Sequence, residues 1–287
     1  MKLGFAFLVL TSLFASSCGA DPMPVSAKET VHYAARNLAK SHNPGVVWDL
    51  LPGSYQADIN TWCRNLAKAL PKDAYEKIFA VIHKTGAVLK QKSDFLAANL
   101  PLKMMLQMFG NANEDDLAAT FAAAGDVCLL LARSDIATIE GLGSLDAGQF
   151  LHGTGARIGR SAIRAFRILG SDPIAELHSA QIEVLGSTPS STTLRIRSYG
   201  QQFDLPFVQV DHRWVPAVMD TTWQEMNPTI LAEIAALDLK SSSQLLWILD
   251  QISADLDKLL AIEGRSKFEK TIMDLVGKYQ KLQLPPR

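Results

Sequence analysis

The feature that most constrains the fold is a change of period. Along most of the chain apolar side chains recur every three or four residues, but between about Ala180 and Met219 they recur every second residue. In TTLRIRS, Leu194 and Ile196 alternate with Arg195 and Arg197, and in FDLPFVQVDHRWVPAVM two short strands flank a turn at Asp211 to Arg213. GSTPSS, from Gly186 to Ser191, supplies an earlier turn. Pro206 and Pro216 confine their strands to edges or bulges, because proline donates no ladder hydrogen bond. A segment of this length makes one small antiparallel meander, whose apolar face must be covered by the helices around it. The expectation is an α+β fold, predominantly α-helical: a helical bundle plus a small antiparallel β-meander packed on helices.

The helices are punctuated by proline. From Val46 to about Leu131 the segments restart near Pro52, Pro71 and Pro101, each tolerated in a first turn and not in a helix interior. Tyr75, Ile78, Phe79, Ile82 and Leu89 give one of these helices its buried face. After the strands, Asn227-Pro228 reads as a helix start, asparagine capping and proline first. Leu245, Leu249, Ile252, Leu256 and Leu259 then alternate at spacings of four and three, and Phe268, Ile272, Leu275, Tyr279 and Leu282 repeat the pattern beyond a break at Gly264. Two such stripes predict an antiparallel helical hairpin; neither is long enough for a separate coiled coil. The chain divides into a signal at 1–20, a tether and first helix at 21–45, a helical domain at 46–150, and an α+β region with the hairpin at 151–287.

The start of the chain, MKLGFAFLVLTSLFASSCGADP, combines Lys2, an apolar run from Leu3 to Phe14, and small residues before Cys18. That pattern is a signal peptide, too short for a transmembrane anchor. Small residues directly before a cysteine resemble a bacterial lipobox, which implies a lipoprotein acylated at Cys18. Cleavage after Ala20 in the ordinary secretory manner is the competing reading. The lipobox resemblance implies an exported, membrane-anchored protein of the cell envelope. With two host membranes, Gly19 after the cysteine points to the outer one, facing the periplasm. Two or more acyl chains would hold it there, since each buried methylene contributes about 0.8 kcal/mol. The proline-rich DPMPVSAKE suits a tether between anchor and body.

Two further cysteines, Cys63 and Cys128, sit on apolar helical stripes, so in an oxidising compartment they are either a disulfide or two buried thiols. The formal charge of −1 gives nucleic acid no basic surface to bind. The most apolar later stretch, Leu117 to Ala132, is short and contains Asp126, as a buried helix would.

HGTGARIGRSAIR, from His152 to Arg164, resembles a nucleotide loop but fails both tests. Its glycines do not fit the Walker spacing, Arg160 stands where lysine is needed, and G-x-G-x-x-x-G is one residue too long for a dinucleotide turn. No nucleotide or other cofactor is expected. The glycines read instead as a flexible entry to an amphipathic helix whose basic face is Arg157, Arg160, Arg164 and Arg167. That face is either solvated or a site for an anion or lipid headgroup, with the first amides of the helix accessible. Glu29-Thr-Val-His32 is a lone E-x-x-H and no H-E-x-x-H or C-x-x-C occurs, so no metal site is expected.

Phe203, Leu205, Phe207 and Trp214 either line an apolar ligand pocket on the concave side of the sheet or form the core beneath its covering helices. The phrase VQVDHRWVP with the strands before it is similar to the last strands of nuclear transport factor-like or cystatin-like α+β folds, over some 60 residues. It departs from them at His212, where glycine turns more easily. The chain as a whole resembles the many exported bacterial lipoproteins of unknown function. Three functions follow: a non-enzymatic lipid-anchored protein with a binding or assembly role, its partners the membrane and another envelope protein; a carrier of a small apolar ligand; or an envelope hydrolase with dispersed catalytic residues.

Overall fold

The computed structural model describes residues 23–99, 113–170, 172–198, 201–237 and 243–280. Cys18 and the signal, Pro101 and Leu282 lie outside the described residues. The helices before the sheet are α1 (Ala27–Ser41), α2 (Gly45–Leu50), α3 (Gly53–Ala69), α4 (Lys72–Gln91), α5 (Ser93–Ala97), α6 (Glu114–Ala132), α7 (Ile139–Gly143), α8 (Ala147–Phe150), α9 (Ala156–Ile168) and α10 (Pro173–Ser179). Strands β1 (Gln181–Ser187), β2 (Ser191–Ser198), β3 (Gln201–Val210) and β4 (Arg213–Pro216) follow, then α11 (Ala217–Ala236), α12 (Ser243–Leu260) and α13 (Arg265–Gln280). The fold is α+β and predominantly helical, with a four-stranded antiparallel sheet in the order β1-β2-β3-β4.

The helical body is centred on α4 and α6, which cross with their backbones touching. A Cβ built on Gly86 would lie 2.9 Å from the Gly125 carbonyl oxygen, and one on Gly125 would lie 2.8 Å from that of Gly86. Only glycine at both positions permits the approach. Asn113 caps α6 by accepting from the Asp116 amide, and Glu114, Asp115 and Asp116 place negative charge on its positive end.

The other side of α4 carries α12, through Lys77–Asp250 and Lys84–Asp257. The expected hairpin forms: α13 doubles back so that Lys278 and Tyr279 donate to Asp255 of α12. Val88, Leu96, Leu259, Ile262 and Phe268 make the core between these layers. α9 packs on α6 and α12 on α4, so helices from both sides of residue 150 meet in this body.

One face of the sheet is covered by α1 and the residue before the sheet. Ala27, Ala180, Leu194, Ile196, Phe207 and Trp214 form a single buried cluster, with Val31, Ile182 and Leu205 against it. The Trp214 indole donates to the Val25 carbonyl at 3.0 Å, and Ala27 is fully buried. The stretch expected as a tether therefore belongs to the body from Val25 onward. On the other face Arg195 makes a bidentate pair with Asp204 of the neighbouring strand, and Arg197 reaches Glu183 at 3.2 Å and Gln202 at 2.9 Å.

The β3–β4 turn is a two-residue hairpin with positive φ at Asp211 (47°) and His212 (62°), the pair of left-handed residues such a turn requires. Asp211 also accepts from the Ser54 amide at 2.9 Å, capping α3, whose own cap residue Pro52 has no side-chain acceptor. The sheet is thereby fastened to the helical body.

One boundary differs from the sequence reading. Strand structure ends at Pro216, not near Met219, and no new helix starts at Asn227-Pro228: α11 runs unbroken from Ala217 to Ala236 with Pro228 in its interior. The Asn227 side chain is engaged by groups on α3 instead of capping. The proline removes one intrahelical hydrogen bond, the one otherwise accepted by the Gln224 carbonyl.

Candidate apolar binding groove

No residue of α11 is fully buried, although the helix is rich in large apolar side chains. Met219, Trp223, Met226 and Ile230 fall at spacings of four, three and four, one stripe of a helix. The stripe faces α3. Trp223 is stacked between Tyr55 (centroids 4.3 Å apart, 12° between planes) and Trp62 (4.9 Å, 27°).

A hydrogen-bond chain fixes this stack from below. Asp58 accepts from the Trp223 indole at 2.9 Å and from the Asn227 amide at 3.0 Å, and Asn227 accepts from the Trp62 indole at 2.7 Å. Tyr55 donates to Asp220 at 2.6 Å, and Gln224 holds the other oxygen of that carboxylate at 3.1 Å. Burial, and then the bond to Asp220, hold the Tyr55 phenol protonated well above its usual range.

Above the stack lies a groove of about 360 Å³ lined by Trp62, Val218, Met219, Trp223, Met226 and Ile230, with Thr222 as the one hydroxyl-bearing residue of its lining. Both indole N–H groups are spent inside the protein, so the groove offers a guest mainly shape and apolar area. Val218 is 63% exposed and Met226 49% exposed at its rim. A rigid aromatic floor with flexible methionines at the edge suits an apolar guest, because little conformational freedom is lost in the floor on binding.

The residues singled out from sequence lie elsewhere. Leu205, Phe207 and Trp214 pack into the core under α1, and Phe203 sits 49% exposed near the far end of β3. The sheet thus uses three of the four as core. Cys63 and Cys128 are both free thiols, half-buried, and burial raises the pKa of each. Cys63 lies within electrostatic reach of Tyr75, while Cys128 packs at Gly86, about 16 Å further along α4 at 1.5 Å per residue.

The glycine-rich segment is corrected most. Residues Leu151–Gly155 form a π-helical turn that joins α8 to α9 without a break, so the first amides of α9 are not open to an anion. The helix begins at Asp146, whose own carboxylate caps the Gln149 amide. The glycines serve close packing: a Cβ on Gly159 would meet the His42 carbonyl oxygen at 2.5 Å, and one on Gly45 would meet the His152 ring at 2.5 Å. Arg157, Arg160, Arg164 and Arg167 do form an exposed face. Arg167 is paired with Asp172 at 2.6 Å, and the other three make no ion pair among the described residues.

His152 is set beside a carboxylate, with Nε2 2.9 Å from Asp49. Asn43 uses its carbonyl oxygen to accept from the Gly45 amide, so its NH2 faces His152 Nδ1 at 3.3 Å. That assigns the proton to Nε2 and leaves neither ring nitrogen for a hydroxyl. Ser144, in a polar cleft of about 340 Å³ beside α7 and α8, donates to the Glu140 carbonyl. Among the described residues no three His, Cys, Asp or Glu side chains are grouped to hold a metal ion, and no helix is long and apolar enough to cross a membrane.

No family model, no curated protein and no solved structure matches the chain.

Sequence reading missed the groove because it cut α11 in two, ending a strand at Met219 and starting a helix at Asn227. The signal was present: Met219, Trp223, Met226 and Ile230 keep helical spacing straight through Pro228.

Proposed function

We propose that this chain is a non-enzymatic, lipid-anchored cell-envelope protein with a binding or assembly role, and that the groove between Trp62 and α11 is its binding surface. The observation that carries the reading is the apolar groove itself, with its aromatic floor internally hydrogen-bonded and its rim exposed. Exposed apolar side chains gathered on one helix are costly unless something covers them. The Cys18 lipobox resemblance supports export and anchoring. Because Val25 is pinned to Trp214, the body starts within about 25 Å of the anchor, at up to 3.6 Å per residue of extended chain.

The test is intact and native mass spectrometry of the protein purified from its native membrane. The reading expects a chain starting at Cys18 with acyl mass, bound to another polypeptide, and release of that polypeptide by Met226→Glu. A chain starting at Asp21 without acyl mass removes the anchor. A co-purifying small apolar molecule in place of a polypeptide favours the carrier reading, moved from the sheet to this groove.

A further inference from the structure

We infer that the partner presents an amphipathic helix with an apolar stripe flanked by lysine or arginine, and that this helix lies along α11. The inference rests on the proposed binding role of the groove and names the chemistry of its occupant. From Val218 to Ile230 the groove face is about 18 Å long at 1.5 Å per residue, the length of three to four helical turns. Its volume of about 360 Å³ takes a few apolar side chains as anchors, the helix-in-groove mode of recognition.

Charge selects the flanks. α11 carries Asp220, Glu225 and Glu233 and has no lysine or arginine. Asp220 is engaged by Tyr55 and Gln224, but Glu225 and Glu233 are exposed. At 100° per residue Glu233 falls close to the groove stripe, one turn beyond Ile230, and Glu225 lies on the same flank of the helix as Val218, two turns along from it. An apolar groove with carboxylates at its end and side is complementary to basic flanks and disfavours an anionic lipid surface, which would meet like charge.

The experiment uses the full chain in phosphatidylcholine nanodiscs, with protein-free discs as the blank. Two synthetic peptides carry leucines at i, i+3, i+4 and i+7, with lysine at the remaining positions in one and glutamate in the other. Binding is followed by tryptophan fluorescence. The lysine peptide is expected to bind at least tenfold tighter than the glutamate peptide, with affinity falling as salt rises. Met226→Glu is expected to abolish binding, and Glu233→Lys to reduce the preference about tenfold. Both side chains are exposed, so neither change threatens the fold. Equal affinity for the two peptides overturns the inference, as does lysine-peptide binding unmoved by Met226→Glu. So does Met226→Glu abolishing self-association of the chain or its binding to neutral vesicles while leaving peptide binding intact. If the native acylated complex persists and responds to Met226→Glu while the peptides do not bind, the partner chemistry is wrong and the binding role stands.

Discussion

Removing Asp58 should collapse the groove floor, and the size of the effect follows from its partners. One carboxylate oxygen accepts from both the Trp223 indole and the Asn227 amide, and Asn227 relays to Trp62. Asp58→Ala leaves those two donors without an acceptor in a half-buried layer. Hydrogen bonds to a charged group contribute about 1.5–3 kcal/mol each, and water reaching the gap recovers part of that, so a net loss of about 2–3 kcal/mol is expected. Asp58→Asn keeps an oxygen in place for both donors and loses only the charge assistance, about 1 kcal/mol or less. Urea unfolding of the two variants, followed by tryptophan fluorescence, measures both numbers. The Ala variant should also show a shifted native emission, because Trp62 and Trp223 lose their fixed geometry. Equal stability of the two variants, or an Ala variant with unchanged emission, would refute the idea that this network sets the floor.

Asp255 is 3% exposed; burial pushes its carboxyl up, but donation from Lys258, Lys278 and Tyr279 outweighs that and holds it at about 2. Its folded value lies below the unfolded one, so its stabilisation is present above about pH 4 and is lost as pH falls toward 2. Wild type should lose stability across that window more steeply than Asp255→Asn in acid titrations monitored by circular dichroism. Gly86→Ala should cost about 1–3 kcal/mol by forcing α4 and α6 apart. Gly153→Ala, with nothing within 4 Å of the added carbon, should instead stabilise by about 0.5–1 kcal/mol, and thermal denaturation separates the signs. His212→Gly should stabilise by about 1 kcal/mol, since a left-handed backbone disfavours a side chain there, provided that Asp211 keeps its cap on α3.

The sheet was the most legible part of the sequence, because a period of two over Leu194, Ile196, Phe207 and Trp214 has one geometric meaning once a covering helix is supplied. The C-terminal hairpin was legible for the same reason, from two stripes broken at Gly264. What failed depended on contacts distant in sequence. Asn227-Pro228 has the local chemistry of a helix start, but Asp58 and Trp62 claim the asparagine and α11 passes through. The glycines around Gly155 and Gly159 have the composition of a flexible loop, yet they are helical because the His42–Gly45 segment needs the space a Cβ would fill. Cys63 and Cys128 both sit on apolar stripes, but no spacing rule says that they meet α4 at different levels.

The central claim, that the groove on α11 is a binding surface, is tested most directly by a photo-crosslinking amino acid placed at Met226 in the native host. A second chain carrying it at Gly153, also exposed and in the π-helical turn between α8 and α9, serves as the comparison. The account predicts a discrete crosslinked polypeptide from position 226 that is absent from position 153. Equal labelling at the two positions, or none at 226 with the protein normally produced, would contradict it.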